Sequence, residues 1–388
     1  MNKRHMRKRV IAIIVLALVS ISIVIAAIIF FRPTNNSASN QSNPPSSSTP
    51  EVPEKTALSC VESLPESVQI GQKIMAAGYS NQLDSSQATF LRYSIGGVII
   101  MDEASAQTIN TFKKGFLISL TIAVDQEGGT VQRYKSQGLI PGATDMAANY
   151  TTAQAYQSYY TDAQYLKSIG ITTNFGPVVD IISAEPNPLP GRMYSSSPST
   201  VIQYATQFIQ AYQKASITPV VKHFPGLGST TTNTDFGTAT TSPLATLKAS
   251  DTIPYQKLAQ YNTDAMVSNA IVPGLTDGQP AVWSNAAVSL LRSYGYQDAV
   301  VYTDSLTARA IPGTIEDAAI KSWQAGNDVA LIVQTSSQTA TLPSIFDAIV
   351  NKAMAALQSG ELDKEKFAES VVRIFNRKNI DPCSIQQG

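Results

Sequence analysis

Thr218-Pro-Val-Val-Lys-His-Phe224 is the stretch from which the fold of this chain can be read. Its first part, Thr218–Val221, is short, apolar and rich in β-branched side chains, which suits a buried strand. An amphipathic stretch, Pro198–Ala215, precedes it, and the chain turns abruptly polar at Lys222 and His223. The same pattern recurs in both directions. Apolar runs lie at Gly96–Ile100, Ile118–Val124, Ile171–Phe175 and Val178–Ile181 on one side. On the other side they lie at Ala265–Ser268, Ala299–Tyr302 and Asp328–Val333. Helix-like stretches such as Ala286–Tyr294 separate several of them, and the chain ends in helical patterns over Ser344–Ser359 and Lys364–Lys378. Strands alternating with helices build a parallel sheet. About eight such units predict an α/β fold, a closed (β/α)8 TIM-type barrel. An open doubly wound sheet is the competing fold, but no G-x-G-x-x-G or G-x-x-x-x-G-K motif succeeds any strand to support it.

The residues at the strand ends are informative. Ile122-Ala-Val124 runs into Asp125, Val178-Val179 into Asp180, Val220-Val221 into Lys222 and His223, and Val300–Thr303 into Asp304. A lone Asp at a strand end is ordinarily a helix cap or turn residue. Several such residues, one of them in a Lys-His pair, predict a site, because in a barrel the C-terminal strand ends converge on one face.

The 388 residues are 43% hydrophobic and 14% charged, enough apolar material for a large core. Their net charge of zero hides an asymmetry. Six basic residues (Lys3, Arg4, Arg7, Lys8, Arg9 and Arg32) and no acid lie in residues 1–50, so 22 of the 28 basic residues face 28 acidic ones beyond them, a net of about −6. That remainder has no electrostatic reason to seek nucleic acid or an anionic surface. Val10–Phe31 is apolar except for Ser20 and Ser22. At about 1.5 Å per residue it reaches roughly 33 Å, enough for a hydrocarbon core of about 30 Å. Five basic residues before the run keep the N-terminus cytoplasmic by the positive-inside rule. The expectation is a single-pass protein of the cell membrane. Residues 1–9 are its cytoplasmic tail, 10–31 its transmembrane anchor in the lipid bilayer, 32–56 a disordered Ser/Pro/Asn-rich linker and 57–388 an extracytoplasmic barrel domain. A cleaved signal peptide is the alternative, although its apolar region is normally about 7–15 residues. No Cys lies close behind the run, which argues against a lipoprotein anchor.

The two cysteines, Cys60 and Cys383, stand at the ends of the folded part. Domain termini often lie close together, so a disulfide is expected in an oxidising compartment, with two unrelated thiols as the alternative. No Cys/His set suits zinc, and neither a metal nor a cofactor is implied.

Val124-Asp-Gln-Glu-Gly-Gly-Thr-Val-Gln-Arg133 resembles the D-Q-E-G-G-x-V-Q-R signature of glycoside hydrolase family 3, in particular its single-barrel β-N-acetylglucosaminidases of the NagZ type. Val221-Lys-His-Phe-Pro-Gly-Leu-Gly228 resembles that family's K-H-F-P-G-H-G loop, and Tyr302-Thr-Asp-Ser-Leu306 its nucleophile strand. Weaker likenesses occur in the same order in Asn187-Pro-Leu-Pro-Gly-Arg192, Met266-Val-Ser-Asn-Ala270 with Pro273-Gly-Leu275, and Ala325-Gly-Asn-Asp328. Together they cover about residues 62–378. The resemblance implies a retaining glycosidase with Asp304 as nucleophile. It also implies a sugar-binding set of Asp125, Arg133, Arg192, Lys222 and His223. Carboxylates accept from sugar hydroxyls and Lys and Arg donate to them, so the residue types fit. Each also has a plainer reading: Arg133 as a surface residue, Lys222 as the neutraliser of a nearby Asp. The implied substrates are terminal β-linked N-acetylhexosamines of peptidoglycan fragments or chitooligosaccharides.

One departure matters. NagZ-type enzymes carry their acid/base His, paired with an Asp, on the loop that here reads Gly228-Ser-Thr-Thr-Thr-Asn-Thr-Asp-Phe-Gly237. Asn233 falls at the position of that Asp and Asp235 at that of the His. Leu227 and Ser229 also depart from the usual loop, and Asn269 stands where relatives often carry a His. The chain has two His, and neither His5 nor His223 is free for the role. Either Asp235 supplies the proton, as a carboxyl does in most retaining glycosidases, or the protein is a catalytically impaired, membrane-anchored glycan binder.

Overall fold

The computed structural model describes residues 56–385. Eight short strands make the barrel: β1 (Ile74–Gly78), β2 (Gly97–Ile100), β3 (Thr121–Val124), β4 (Thr173–Asn174), β5 (Thr218–Phe224), β6 (Asp264–Val267), β7 (Val301–Thr303) and β8 (Ala330–Ile332). Every neighbouring pair is parallel, and β1 pairs with both β2 and β8. The ring closes where Tyr302 of β7 bridges Val329, with the Thr303 N–H donating to the Val329 carbonyl at 2.9 Å.

The side chains obey the two-residue period of a strand. Met75, Ile99, Ala123, Val220, Met266 and Leu331 point inward and pack with Phe175 and Tyr302, whose rings meet edge to face at 5.1 Å. Their neighbours Ile74, Val98, Ile122, Val221, Ala265 and Ala330 point outward into a larger cluster shared with the surrounding helices. Those helices include Thr152–Ser168, Pro198–Lys214, Asn285–Ser293, Ile315–Gln324 and Leu342–Ser359.

The N-terminal end of the barrel is plugged. The helices Ala57–Glu62 and Lys364–Arg377 add Val61, Val371 and Phe375 to the inner cluster. Cys60 and Cys383 are joined by a disulfide across 323 residues. Asp328, wholly buried before β8, accepts from Arg292 Nη2 at 2.7 Å, Arg373 Nε at 3.1 Å and Ser370 Oγ at 2.7 Å, which pins the last helix to the sheet.

Two details differ from the expectation drawn from sequence. Val178–Ile181 is not a strand: only Val178 bridges Lys222, after which the chain leaves the sheet to bring Asp180 under the His223 ring. Conversely, Ile74–Gly78 is a strand that the sequence pattern does not reveal. Its residues, Ile-Met-Ala-Ala-Gly, are poor in β-branched types and buried throughout, so neither propensity nor alternation marks it. No described helix is long and apolar enough to cross a membrane, and the predicted anchor at 10–31 lies outside the described residues.

Candidate active site

The site is assembled at the C-terminal strand ends. After β3 the chain passes Asp125 and turns back as a tight hairpin, Gln126–Gly128 against Val131–Gln132. Gly128 and Gly129 have φ of +97° and +59°, and a Cβ at Gly128 would sit 2.6 Å from the Pro141 carbonyl. Glycine is needed there for both conformation and space. Buried Gln126 locks the turn: its Oε1 accepts from the backbone N–H groups of Arg133 and Tyr134 at 2.9 and 3.0 Å. Asn174, at the end of β4, exchanges hydrogen bonds with the Gln126 backbone at 2.9 and 3.0 Å.

These ties set a charged cluster over the barrel mouth. Lys222 Nζ, buried at the end of β5, lies 2.9 Å from Asp125 Oδ1 and 2.6 Å from Glu127 Oε1. Arg133 Nη2 donates to Asp125 Oδ2 at 3.2 Å. Arg192, on the loop after β4, grips Glu127 through Nε and Nη2 at 2.8 and 2.9 Å. Burial works against each of these charges, and the neighbours outweigh it. Lys222 and Arg133 hold Asp125 down at about 2, and Arg192 and Lys222 hold Glu127 below its ordinary range. Burial would lower Lys222, but Asp125 and Glu127 raise it. The neighbouring charges thus favour the ionised forms of Asp125, Glu127 and Lys222, which gives the cluster fixed donors and acceptors.

His223 comes next on the same strand. Its Nδ1 lies 2.7 Å from Asp180 Oδ2, while Asp180 Oδ1 accepts from the backbone N–H of Leu227 at 2.7 Å. The loop residue Asp180 thus fixes both the ring and the Lys222–Gly228 turn. Asp304 stands at the end of β7, its backbone N–H donating to Val267 at 2.8 Å and its Oδ1 accepting from the Ser305 N–H at 2.8 Å. Burial raises its pKa, the charge of Asp235 raises it further, and His223 pulls it down.

Asp235 is exposed on the loop 228–237. Asn233 Oδ1 accepts from its backbone N–H at 2.9 Å. The backbone N–H groups of Arg309 and Ala310 reach the Asp235 and Thr234 carbonyls at 3.4 and 3.1 Å. Those bonds tie the Asp235 loop to the segment just beyond the Asp304 strand.

A cavity of about 420 Å3 is lined by all seven residues singled out in the sequence (Asp125, Arg133, Arg192, Lys222, His223, Asp235 and Asp304), with Phe175, Met266 and Leu331 of the barrel interior below them. Glu127 also lines it, although the sequence pattern does not set it apart from its neighbours in the motif. Asp180 stands out in the sequence only as a strand end, and its part in holding His223 emerges from the fold. Asn269 is buried behind the wall, its Nδ2 donating to the Ser305 carbonyl at 2.7 Å. A polar, sterically defined cavity with fixed donors, lined by the carboxyl groups of Asp235 and Asp304, can bind a polyhydroxylated ligand and act on it.

Comparison with known proteins agrees with this geometry. The family described as "Glycosyl hydrolase family 3 N terminal domain" matches residues 67–377. The chain is 33% identical over 330 residues to the β-hexosaminidase LpqI of Mycobacterium tuberculosis, covering 80% of this chain and 82% of that protein. The solved structure of M. tuberculosis LpqI superposes with a TM-score of 0.75 at 31% identity, covering 84% of this chain and 96% of the other. A family 3 glycosyl hydrolase from Mycobacterium smegmatis superposes with a TM-score of 0.74 at 30% identity, covering 82% and 98%. A binding protein without turnover is not favoured by these likenesses. The chain belongs to glycosyl hydrolase family 3, and it is a glycosidase that hydrolyses O-glycosyl bonds.

Proposed function

We propose that this chain is a retaining β-N-acetylhexosaminidase, held at the outer face of the cell membrane by residues 10–31. Its substrates are terminal β-linked N-acetylhexosamines of cell-wall fragments or chitin-like oligomers. One observation carries the reading: Asp304 ends a barrel strand in the same cavity as the Asp125–Lys222–Glu127–Arg192 cluster, and Asp235 lines that cavity too. The 2-acetamido sugar is suggested by the hexosaminidase names of the relatives.

In the first step an Asp304 oxygen attacks the anomeric carbon as the bond to the leaving oxygen breaks, and the Asp235 carboxyl gives that oxygen its proton. In the second, the Asp235 carboxylate takes a proton from a water that attacks the same carbon, and Asp304 is released as a carboxylate. Two displacements retain the configuration. The Ser305 N–H and the field of His223 favour ionised Asp304, which the attack requires. The charged cluster holds the sugar by its hydroxyls.

The test is nitrophenol release from nitrophenyl N-acetyl-β-glucosaminide. Wild-type protein should release it and Asp304→Asn should not. Failure of folded wild-type protein to turn over this glycoside sinks the sugar assignment. Asp235→Ala should cost about 10²–10⁴-fold on leaving groups that need protonation. It should cost far less on dinitrophenyl glycosides. An equal loss on both excludes Asp235 as the acid. For the anchor, full-length protein should stay with membranes after an alkaline wash, and release into the wash argues against it.

A further inference from the structure

Behind the loop that delivers Arg133 lies a second groove, of about 470 Å3. One wall is the segment 137–140, the other the helix Thr152–Ser168. Among the described residues four large hydrophobic side chains are exposed, Leu117, Leu139, Tyr150 and Phe236, and two of them, Leu139 and the partly exposed Tyr150, line this groove. Their apolar surface therefore faces a concavity and not open solvent alone.

The polar part of the lining is made of amides and hydroxyls, from Gln154, Gln157, Ser158 and Thr161. No Lys or Arg lines the groove among the described residues. Its one acid, Asp162, is buried, and its oxygens are engaged by Gln126 Nε2 at 2.8 Å and the Tyr212 hydroxyl at 2.6 Å. A charged ligand finds no counter-charge here. Amides and hydroxyls both donate and accept, as sugar hydroxyls do. Tyr150 and Leu139 offer apolar surface for the C–H faces of a pyranose, with the Tyr hydroxyl left as a polar tip.

We propose that this groove is a second carbohydrate site, which takes an uncharged, hydroxyl-rich oligosaccharide and holds the enzyme on polymeric substrate. A short chain of contacts connects the groove to the active site. Gln126 binds Asp162 on the groove side and, through the backbone of Arg133 and Tyr134, the loop that points Arg133 at Asp125. A second weak site raises the effective concentration of chain ends at the first without any new contact in the active site. The inference rests on the chain being a glycosidase and not on which sugar it cleaves.

The test uses full-length protein carrying Asp304→Asn, so that the matrix is not consumed. It measures retention on insoluble chitin and binding of chitotetraose. Two variants are compared with this parent, the double substitution Leu139→Ser with Gln157→Ala, and Tyr150→Ser. Each should weaken retention by about five-fold or more, the loss of about one good contact. With Asp304 intact, the same substitutions should leave kcat/KM for the small nitrophenyl glycoside within about two-fold, as surface changes do. Retention unchanged in both variants overturns the proposal. So does a parallel fall in small-glycoside turnover, no retention of the parent, or a groove that proves to serve self-association instead. Groove-dependent retention with no turnover of the N-acetylglucosaminide sinks the hexosaminidase reading and leaves the groove standing.

Discussion

Arg192 holds Glu127 by two parallel hydrogen bonds, Nε to Oε2 at 2.8 Å and Nη2 to Oε1 at 2.9 Å, and so joins the loop after β4 to the hairpin after β3. The fork is planar and almost buried. Lysine offers a single point charge and cannot reproduce it. Arg192→Lys should therefore lower kcat/KM by about 10–100-fold, the worth of a charge-assisted bidentate pair at about 1.5–3 kcal/mol. Steady-state kinetics and a melting curve check this, and Tm should fall by a few degrees because the same pair ties the loop to the hairpin.

The pH profile should carry the mark of Asp304. In the proposed mechanism Asp304 attacks as the carboxylate, and burial together with Asp235 lifts its pKa above the ordinary carboxylate value. Activity on a dinitrophenyl glycoside, which needs no acid, should fall as pH drops through that raised value. Asp235→Asn removes a charge that raises Asp304, so the acidic limb should move to lower pH. An acidic limb that stays in place in Asp235→Asn refutes the coupling.

Asp304→Asn should not destabilise the fold at neutral pH. A carboxyl whose pKa is raised on folding is disfavoured in its ionised form by the folded state. Replacing it with a neutral amide removes that cost. Thermal denaturation at pH 7 should show an equal or higher Tm beside the lost activity, which separates a chemical defect from a folding one.

Asp328 behaves in the opposite sense. Burial raises its pKa, but Arg292 and Arg373 overcome this and hold it at about 2. Its contribution to stability is present above the ordinary carboxylate pKa near 4 and is lost as pH falls through about 2. Asp328→Asn leaves two arginines without their counter-charge and should cost about 3–5 kcal/mol. Urea denaturation at pH 7 measures it, and the gap from wild type should narrow below pH 3.

The Cys60–Cys383 bond closes a loop over nearly the whole described chain. Constraining the unfolded chain in this way is worth about 2–5 kcal/mol. Cys60→Ser with Cys383→Ser should lower the urea midpoint and leave kcat/KM unchanged, because the bond lies at the N-terminal end of the barrel and the site at the other.

The barrel was legible because most of its strands carry β-branched runs that end in polar residues. Where a strand is built of Ala and Gly, as at Ile74–Gly78, the local signal vanishes and only closure of the sheet reveals it. Asp125, Arg133, Lys222, His223 and Asp304 could be singled out because each succeeds an apolar run or lies within a distinctive motif. Glu127 could not be separated from its neighbours in that motif. Its role depends on Lys222 and Arg192, which are 95 and 65 positions away and converge on it only in the folded chain.

The order of residues alone therefore specified a parallel barrel and polar residues, Asp304 among them, at its strand ends. Those features are local, written in the two-residue period of strands and in short motifs. That Asp235 and Asp304 line one cavity is not local. It depends on backbone bonds from Arg309 and Ala310 to the Asp235 loop and on burial that no linear pattern encodes. Charge, distance and dielectric are properties of the packed cavity, and they set how readily Asp304 ionises.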